Sequence, residues 1–477
     1  MINFLPGRTL MKFDRQLPFY NWLYPMKGQE LDTVTHHEFH SGIRTSGVRS
    51  RALYFHIPFC DTICTFCTLN RGLGSSGDEQ IEAYVQALLK EIALKGKYAA
   101  ATSVPIRAIF FGGGTPTTLS ANQITRIGRA IHDHFDLSEL QEFTFEAEVK
   151  SVTEEKCTAM RDIGVNKARF GLQSFDPLYR ELFNITATIE QEHAAAEMFA
   201  RYFDFTSFDM IYGMHGQTFE QFSRDIEYAT GMGTATMELY PISNVVTQVP
   251  LHHSYARRGL APLSFIDKMA MTIYLNQYLR ASGFQQHNGH GFLRLPDGHK
   301  PGPHFISRDY VNLYNAHTWS HHDDELIGLG NSAISQIANF TVMNDDNRTT
   351  YVKNLLENNE VKINLSVGDG IPYERGIVLH LPYFGWLDKS RISWEQIPAE
   401  LIDKLGQLVS EGMLEEDHAE YRITELGWIW YVNMMYFLSP FSDQKVLDEF
   451  TALKRRTKGL TDGDDRMLPL LTMGSLR

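Results

Sequence analysis

Between residues 51 and 283, short β-rich runs and amphipathic stretches alternate six times, and this rhythm restricts the fold more than any other feature of the chain. The runs are RALYFHI (51–57), IRAIFFGGG (106–114), EFTFEAEV (142–149), KARFGLQSF (167–175), FTSFDMIYG (205–213) and TATMELYPI (234–242). Helical spacing of apolar residues follows each of them, over 78–98, 120–135, 153–164, 189–202, 218–233 and 265–283. Ser120 stands where an N-cap is needed for the second helix. Repeated strand–helix units take right-handed crossovers, which gives a parallel sheet with helices outside. Six units are too few for a closed eight-fold barrel. The expected fold is therefore α/β, a partial (β/α)6 barrel, with ligands at the carboxyl ends of its strands. FQQHNGHGF (284–292) reads as one final strand.

The rhythm assigns residues 1–50 to an extension wrapped on the barrel, 51–300 to the barrel, 301–370 to a connecting segment and 371–477 to a mainly helical C-terminal domain. Within the last, a hairpin at 413–424 between helical stretches suggests a winged-helix-like module. Its scattered acidic residues make it a lid or packing domain rather than a DNA reader. A chain of 477 residues with 43% hydrophobic and 21% charged residues is globular and built of more than one module. A net charge of −13 argues against a general nucleic-acid or acidic-membrane surface. The first residues lack the apolar core of a signal peptide, and WIWYVNMMYFLSPF (428–441) is too short to span a bilayer. A cytoplasmic protein without membrane or nucleic-acid partners is expected.

Three of the four cysteines, Cys60, Cys64 and Cys67, fall within YFHIPFCDTICTFCTLN (54–70), directly after the first strand. The fourth, Cys157, is predicted on a helix. Structural zinc takes four ligands, usually as two separated pairs. His56 would complete such a set, but it precedes Cys60 on a strand. A four-iron cluster held by three thiolates leaves one iron open to another ligand. The triplet is best explained by a [4Fe-4S] cluster on Cys60, Cys64 and Cys67.

C-x3-C-x2-C preceded by YFHIPFC resembles the radical S-adenosylmethionine (SAM) superfamily, and more narrowly its oxygen-independent coproporphyrinogen III oxidase-like branch. That branch includes haem chaperone-like proteins, class C radical SAM methyltransferases and anaerobic haem-degrading methyltransferases. FFGGGTPTTLS (110–120), GLQSFD (171–176), DMIYGMHGQT (209–218) and LIGLGNSAIS (326–335) stand in the family's order, and the resemblance runs from about residue 50 to 450. It implies that the open iron chelates SAM and that one-electron cleavage yields a 5′-deoxyadenosyl radical. It also implies an electron donor such as flavodoxin or ferredoxin.

On the same resemblance, Gly112, Gly113, Gly114 and Thr115 bring backbone close to the methionine moiety of SAM, a tight turn being the alternative. Tyr54 matches a tyrosine near the cluster. Glu146, Asp209 and Gln173 offer carboxylates and an amide to the ammonium, ribose or sulfonium, with Tyr54 and Glu146 as catalytic candidates. Gly330 and Ile334, in GLGNSAIS, are candidates for packing a second SAM, against a plain strand–helix connection. Departures from the oxidases are Leu69 in place of a cysteine, and Ile185 or Thr186 in place of a basic residue. His287, His290, His299, His304, His317, His321 and His322 are expected mostly on loops facing water, with one of them touching substrate. Three activities remain open. They are two-SAM C-methylation of a tetrapyrrole such as haem, decarboxylation of coproporphyrinogen propionates, and a haem-binding chaperone.

Overall fold

The computed structural model describes residues 24–25, 29–35, 47–67, 69, 71–73, 78–242, 249–296, 312–337, 340–368 and 370–448. One thirteen-stranded sheet dominates it. Its strands are β1 (Gln29–Thr35), β2 (Ser50–Ile57), β3 (Ile106–Gly113), β4 (Glu142–Ala147), β5 (Lys167–Gln173), β6 (Phe205–Tyr212) and β7 (Thr236–Pro241), followed by β8 (Phe284–Gln286), β9 (Gly291–Arg294), β10 (Asp324–Leu329), β11 (Ile334–Ile337), β12 (Phe340–Asn344) and β13 (Lys362–Val367). In space the order is β1-β13-β12-β11-β10-β2-β3-β4-β5-β6-β7-β9-β8. All pairs from β10 to β7 are parallel, and those outside this block are antiparallel. The sheet is an open α/β partial barrel.

Helices α1 (Asp78–Lys95), α2 (Ala121–His134), α3 (Glu154–Asp162), α4 (Pro177–Phe183), α5 (Ile189–Tyr202) and α6 (Phe219–Thr230) fill the crossovers. Ser120, Thr188 and Thr218 start α2, α5 and α6 with reciprocal capping boxes to Gln123, Gln191 and Gln221. Phe55, Phe111, Phe143 and Phe145 project from neighbouring strands into the core shared with these helices, alongside Cys157 on α3. A second core surrounds Trp430, Tyr383 and Leu405. There the helices Ala399–Ser410 and Glu425–Leu438 pack with a three-stranded sheet of Trp386–Asp388, Glu420–Ile423 and Leu414–Glu416. No helix among the described residues is long and apolar enough to cross a membrane.

The structure departs from the sequence reading at three places. The parallel block holds seven strands, because β10 adds beside β2 with Asp324 opposite Ser50 and Leu329 opposite Phe55. GLGNSAIS is not a strand–helix connection: β10 turns into antiparallel β11, with Gly330 (φ +100°) and Ser332 (φ +60°) supplying the left-handed conformations of the reversal. FQQHNGHGF forms two antiparallel strands, since the Asn288 side chain accepts from the backbone N–H of His290 and Gly291 and closes a turn. Most of the N-terminal extension, together with His299 and His304, lies outside the described residues.

The lumen of the partial barrel carries a plug. Helix α7 (Leu313–Thr318) lies against Ala52, Ala108 and Leu326, small or flexible side chains that leave it room. Glu142 accepts from the N–H of Leu313 at 2.9 Å, and His317 Nε2 meets Ser50 Oγ at 2.6 Å. Tyr314 stacks on Phe110 at 4.3 Å and on Tyr54 at 5.7 Å, which closes the floor beneath the carboxyl ends of β2 and β3.

Candidate active site

The cysteine loop leaves β2 and is moored from two sides. Gly114 N–H donates to Ile57 O at 2.8 Å and Thr115 N–H to Phe59 O at 2.6 Å, tying the loop's root to the glycine turn after β3. Its tip rests on the end of α4. Thr65 donates to Phe183 O and Leu182 O, Asn184 donates to Ile63 O at 2.9 Å, and Phe66 meets Phe183 edge-on. Thus moored, Cys60, Cys64 and Cys67 line one cavity of about 250 Å³. All three are free thiols. Burial pushes each of them up, Cys64 to about 12, while the Arg71 guanidinium pulls each the other way.

The same cavity is lined by Gly113, Gly114, Thr115, Glu146, Gln173 and Asp209, so nine of the thirteen residues singled out from the sequence meet at one place. Gly113 has φ +106°, and a Cβ there would strike His56 Nδ1 at 2.5 Å. At Gly112 a Cβ would strike the Glu146 carboxylate at 2.8 Å. Gly113 lines the cavity with protein packed on its Cβ side, whereas Gly112 does not line it and packs against Phe110 and Glu146. Gln173, at the bulge that ends β5, takes φ +69°. A left-handed glutamine costs about 1 kcal/mol, and here it faces the cavity. Tyr54 stands just behind the wall, its hydroxyl 3.0 Å from His56 Nδ1.

Gly330 and Ile334 are not brought to this cavity. A Cβ on Gly330 would meet His56 O and Tyr84 OH, each at 2.6 Å, so the turn packs behind the cysteine strand. Its N–H donates to Glu91 at 2.7 Å. Glu91 is fully buried and also accepts from Tyr351 OH at 2.6 Å and Asn344 Nδ2 at 2.8 Å, and pairs with Lys95 at 2.9 Å. The histidines are corrected likewise. His287, His290, His317 and His321 are buried rather than water-facing, because tertiary partners such as Ser50 for His317 and Tyr431 for His290 satisfy ring nitrogens that local sequence leaves bare.

Sequence reasoning missed the cations of the cavity wall. Arg169 projects from β5 and donates to Asp209 at 2.8 Å and to Tyr240 OH at 2.6 Å. Its signal was the alternation Lys167-x-Arg169, two basic residues on one face of a strand. Arg169 restrains Asp209, which burial pushes upward. Glu146 is pushed up to about 7 by burial, with Arg169 opposing and Asp209 reinforcing the shift. Lys150 Nζ donates to Thr186 Oγ1 at 2.5 Å, placing an ammonium beside the wall that Ile185 and Thr186 line.

A profile of the Radical SAM superfamily matches residues 54–229, from the cysteine strand to α6. The chain carries a radical SAM domain. The haem chaperone HemW of Lactococcus lactis is 26% identical over 393 residues, which cover 80% of this chain and 95% of HemW. Oxygen-independent coproporphyrinogen III oxidase of Pseudomonas aeruginosa is 26% identical over 389 residues, or 79% and 82% of the two chains. Anaerobilin synthase of Escherichia coli O157:H7 is 32% identical over 209 residues, and the match spans 44% of this chain and 46% of that one. Among solved structures, coproporphyrinogen III oxidase (HemN) from Escherichia coli shares the fold at TM-score 0.70 and 22% identity, with 88% and 97% of the chains covered.

A radical SAM domain brings a [4Fe-4S] cluster and SAM as cofactors, so this chain is a radical SAM enzyme. The donor set fits the cluster. Three free thiols surround one cavity, and the fourth cysteine, Cys157, is buried on α3 and does not line it. That arrangement suits a polynuclear centre better than a lone zinc ion.

Proposed function

We propose that this radical SAM enzyme methylates a tetrapyrrole, using one SAM as radical source and a second as carbon donor. Support comes from the 32% identity to anaerobilin synthase, whose name denotes a bilin, a linear tetrapyrrole. In this reading Cys60, Cys64 and Cys67 hold the cluster. Bound together, the cluster and SAM supply one-electron cleavage of the sulfonium and a carbon-centred oxidant. The chain's own residues do the rest. Backbone at Gly113, Gly114 and Thr115 lies against the methionine moiety, while Glu146 and Asp209 face its positive charge and ribose. Gln173 offers its amide to the same ligand. Tyr54, Phe110 and Tyr314 form a stacked floor that excludes water below the reacting atoms. A reductant such as flavodoxin or ferredoxin would deliver the electron.

Incubating the reconstituted enzyme anaerobically with SAM deuterated on its methyl group and, in parallel reactions, with haem or coproporphyrinogen III tests the reading. The expected result is 5′-deoxyadenosine carrying one deuterium, S-adenosylhomocysteine, and a product enlarged by a carbon bearing the other two. Deoxyadenosine carrying substrate hydrogen, with carbon dioxide released, would replace this reading by propionate decarboxylation, which the match across 82% of the Pseudomonas oxidase favours. Haem transfer without SAM cleavage would leave a chaperone.

Glu146 gives a second prediction. It holds SAM's positive charge only when ionised, and burial has pushed it up to about 7 in the free protein. SAM affinity should therefore rise as pH climbs towards 7, by up to about tenfold per unit, and level off above it. Equilibrium dialysis at fixed ionic strength measures this. Glu146→Gln should bind more weakly above pH 7 and show a flat profile. A wild-type profile as flat as the variant's excludes the role.

A further inference from the structure

Arg71 lies four residues beyond the last cysteine of the triplet and lines the cavity with it. Its Nη1 donates to Leu69 O at 2.7 Å and its Nη2 to Cys64 O at 3.1 Å. The two carbonyls lie on either side of Cys67, so one rigid guanidinium grips the loop across its last cysteine. Among the described residues Arg71 forms no ion pair, whereas Arg169 is neutralised by Asp209 and Arg180 by Glu192. Its Nε is buried and has no hydrogen-bond partner. Arg71 is half-buried, and a cation whose buried N–H lacks a partner is favoured by a negative charge beside it. Glu146, Glu148, Glu192 and Asp209 line the same cavity, but among the described residues Arg71 pairs with none of them and binds the carbonyl of Cys64 instead.

We propose that Arg71 is a positioning residue for the iron–sulfur cluster, clasping the cysteine loop through two carbonyls and offsetting the negative charge of the thiolate-bound cluster, which grows by one unit on reduction. The inference rests on the triplet as the cluster's ligands. Iron content of the wild-type protein checks that separately, before any Arg71 variant is read. The charge of Arg71 should raise the cluster's reduction potential, because a fixed cation favours the more negative state. Its two-pronged grip should slow loss of iron, because lysine offers a point charge that cannot match the fork.

The test uses full-length protein reconstituted anaerobically as wild type, Arg71→Gln and Arg71→Lys, with circular dichroism confirming the fold. Redox titration followed by electron paramagnetic resonance reads the potential, release of iron to a chelator reads the grip, and equilibrium dialysis reads SAM affinity. Arg71→Gln should shift the reduction equilibrium at least tenfold towards the oxidised cluster, about 59 mV for one electron, and should lose iron faster. Arg71→Lys should keep the wild-type potential within that margin but lose iron faster than wild type. A folded Arg71→Gln that takes up no iron is the limiting case of the lost grip and supports the proposal. An Arg71→Gln potential equal to wild type overturns the charge role, and wild-type iron release from Arg71→Lys overturns the clasp. Weakened SAM binding with potential and iron release unchanged would make Arg71 a ligand-binding residue instead.

Discussion

Replacing Cys60, Cys64 or Cys67 with alanine is expected to reduce iron content and to bring 5′-deoxyadenosine formation down to the level of a protein-free control. The loop fixes the cluster at three points, and it is moored on α4 through Thr65 and Asn184 and on the glycine turn through Phe59. Two remaining thiolates leave a further iron exposed to solvent, and second moorings cannot replace a metal–sulfur bond. Cys157→Ala is the control. That cysteine is fully buried on α3, in the core between helix and sheet, so its loss should cost about 1 kcal/mol of stability while leaving SAM cleavage intact. Iron and sulfide analysis with product quantification measures both. A Cys157 variant that loses its cluster while a triplet variant retains one would refute the assignment.

Glu91→Ala should be the most destabilising single change outside the cluster loop. The substitution removes the charge partner of buried Lys95 and an acceptor of the Tyr351 hydroxyl, the Asn344 amide and the Gly330 N–H at once, leaving Lys95 with Gly328 O and Asn344 with Gly330 O. Breaking a buried charge pair by removing one partner costs roughly 3–5 kcal/mol. A urea midpoint lowered accordingly in the iron-free protein is the expected readout. Glu91→Gln keeps two acceptor contacts but not the charge, and should fall between the two. A Glu91→Ala midpoint within error of wild type would show that the network contributes nothing net.

What could be read from sequence followed from how local each signal is. The six parallel strands β2 to β7 are legible because each is followed within a few residues by its own amphipathic helix, and the motifs at their ends then fall at one edge of the sheet. β10 offered no such cue. DELIGL (324–329) is buried along its whole length, but it opens with two acidic residues, turns into a hairpin, and has its parallel partner 274 residues earlier. Gly330 and Ile334, the candidates for a second SAM, lie outside the cysteine cavity for a related reason, since a glycine with positive φ signals a sharp turn without saying what lies against it. The histidines misled for the opposite reason. His317 and His321 sit in NAHTWSHHDDE, a polar stretch typical of a loop, yet Ser50 and Asp324 draw them inside. Arg71 was missed because an isolated cation in a sequence usually marks a solvated face, and Arg169 because its alternation with Lys167 does not say which face of the strand is enclosed. Only the cavity shows what they line.

The strand that bears the cysteines is flanked on one side by β3, made soon after it, and on the other by β10, made last of the parallel set. Behind that strand, Glu91 and Tyr84 join α1 to the β10–β11 turn and to His56 O. A chain still emerging from the ribosome therefore has its three thiols in hand long before it has the wall that steadies them. A protein truncated before residue 324 would present the cysteine motif and its moorings on α4 and the glycine turn, but without the backing strand.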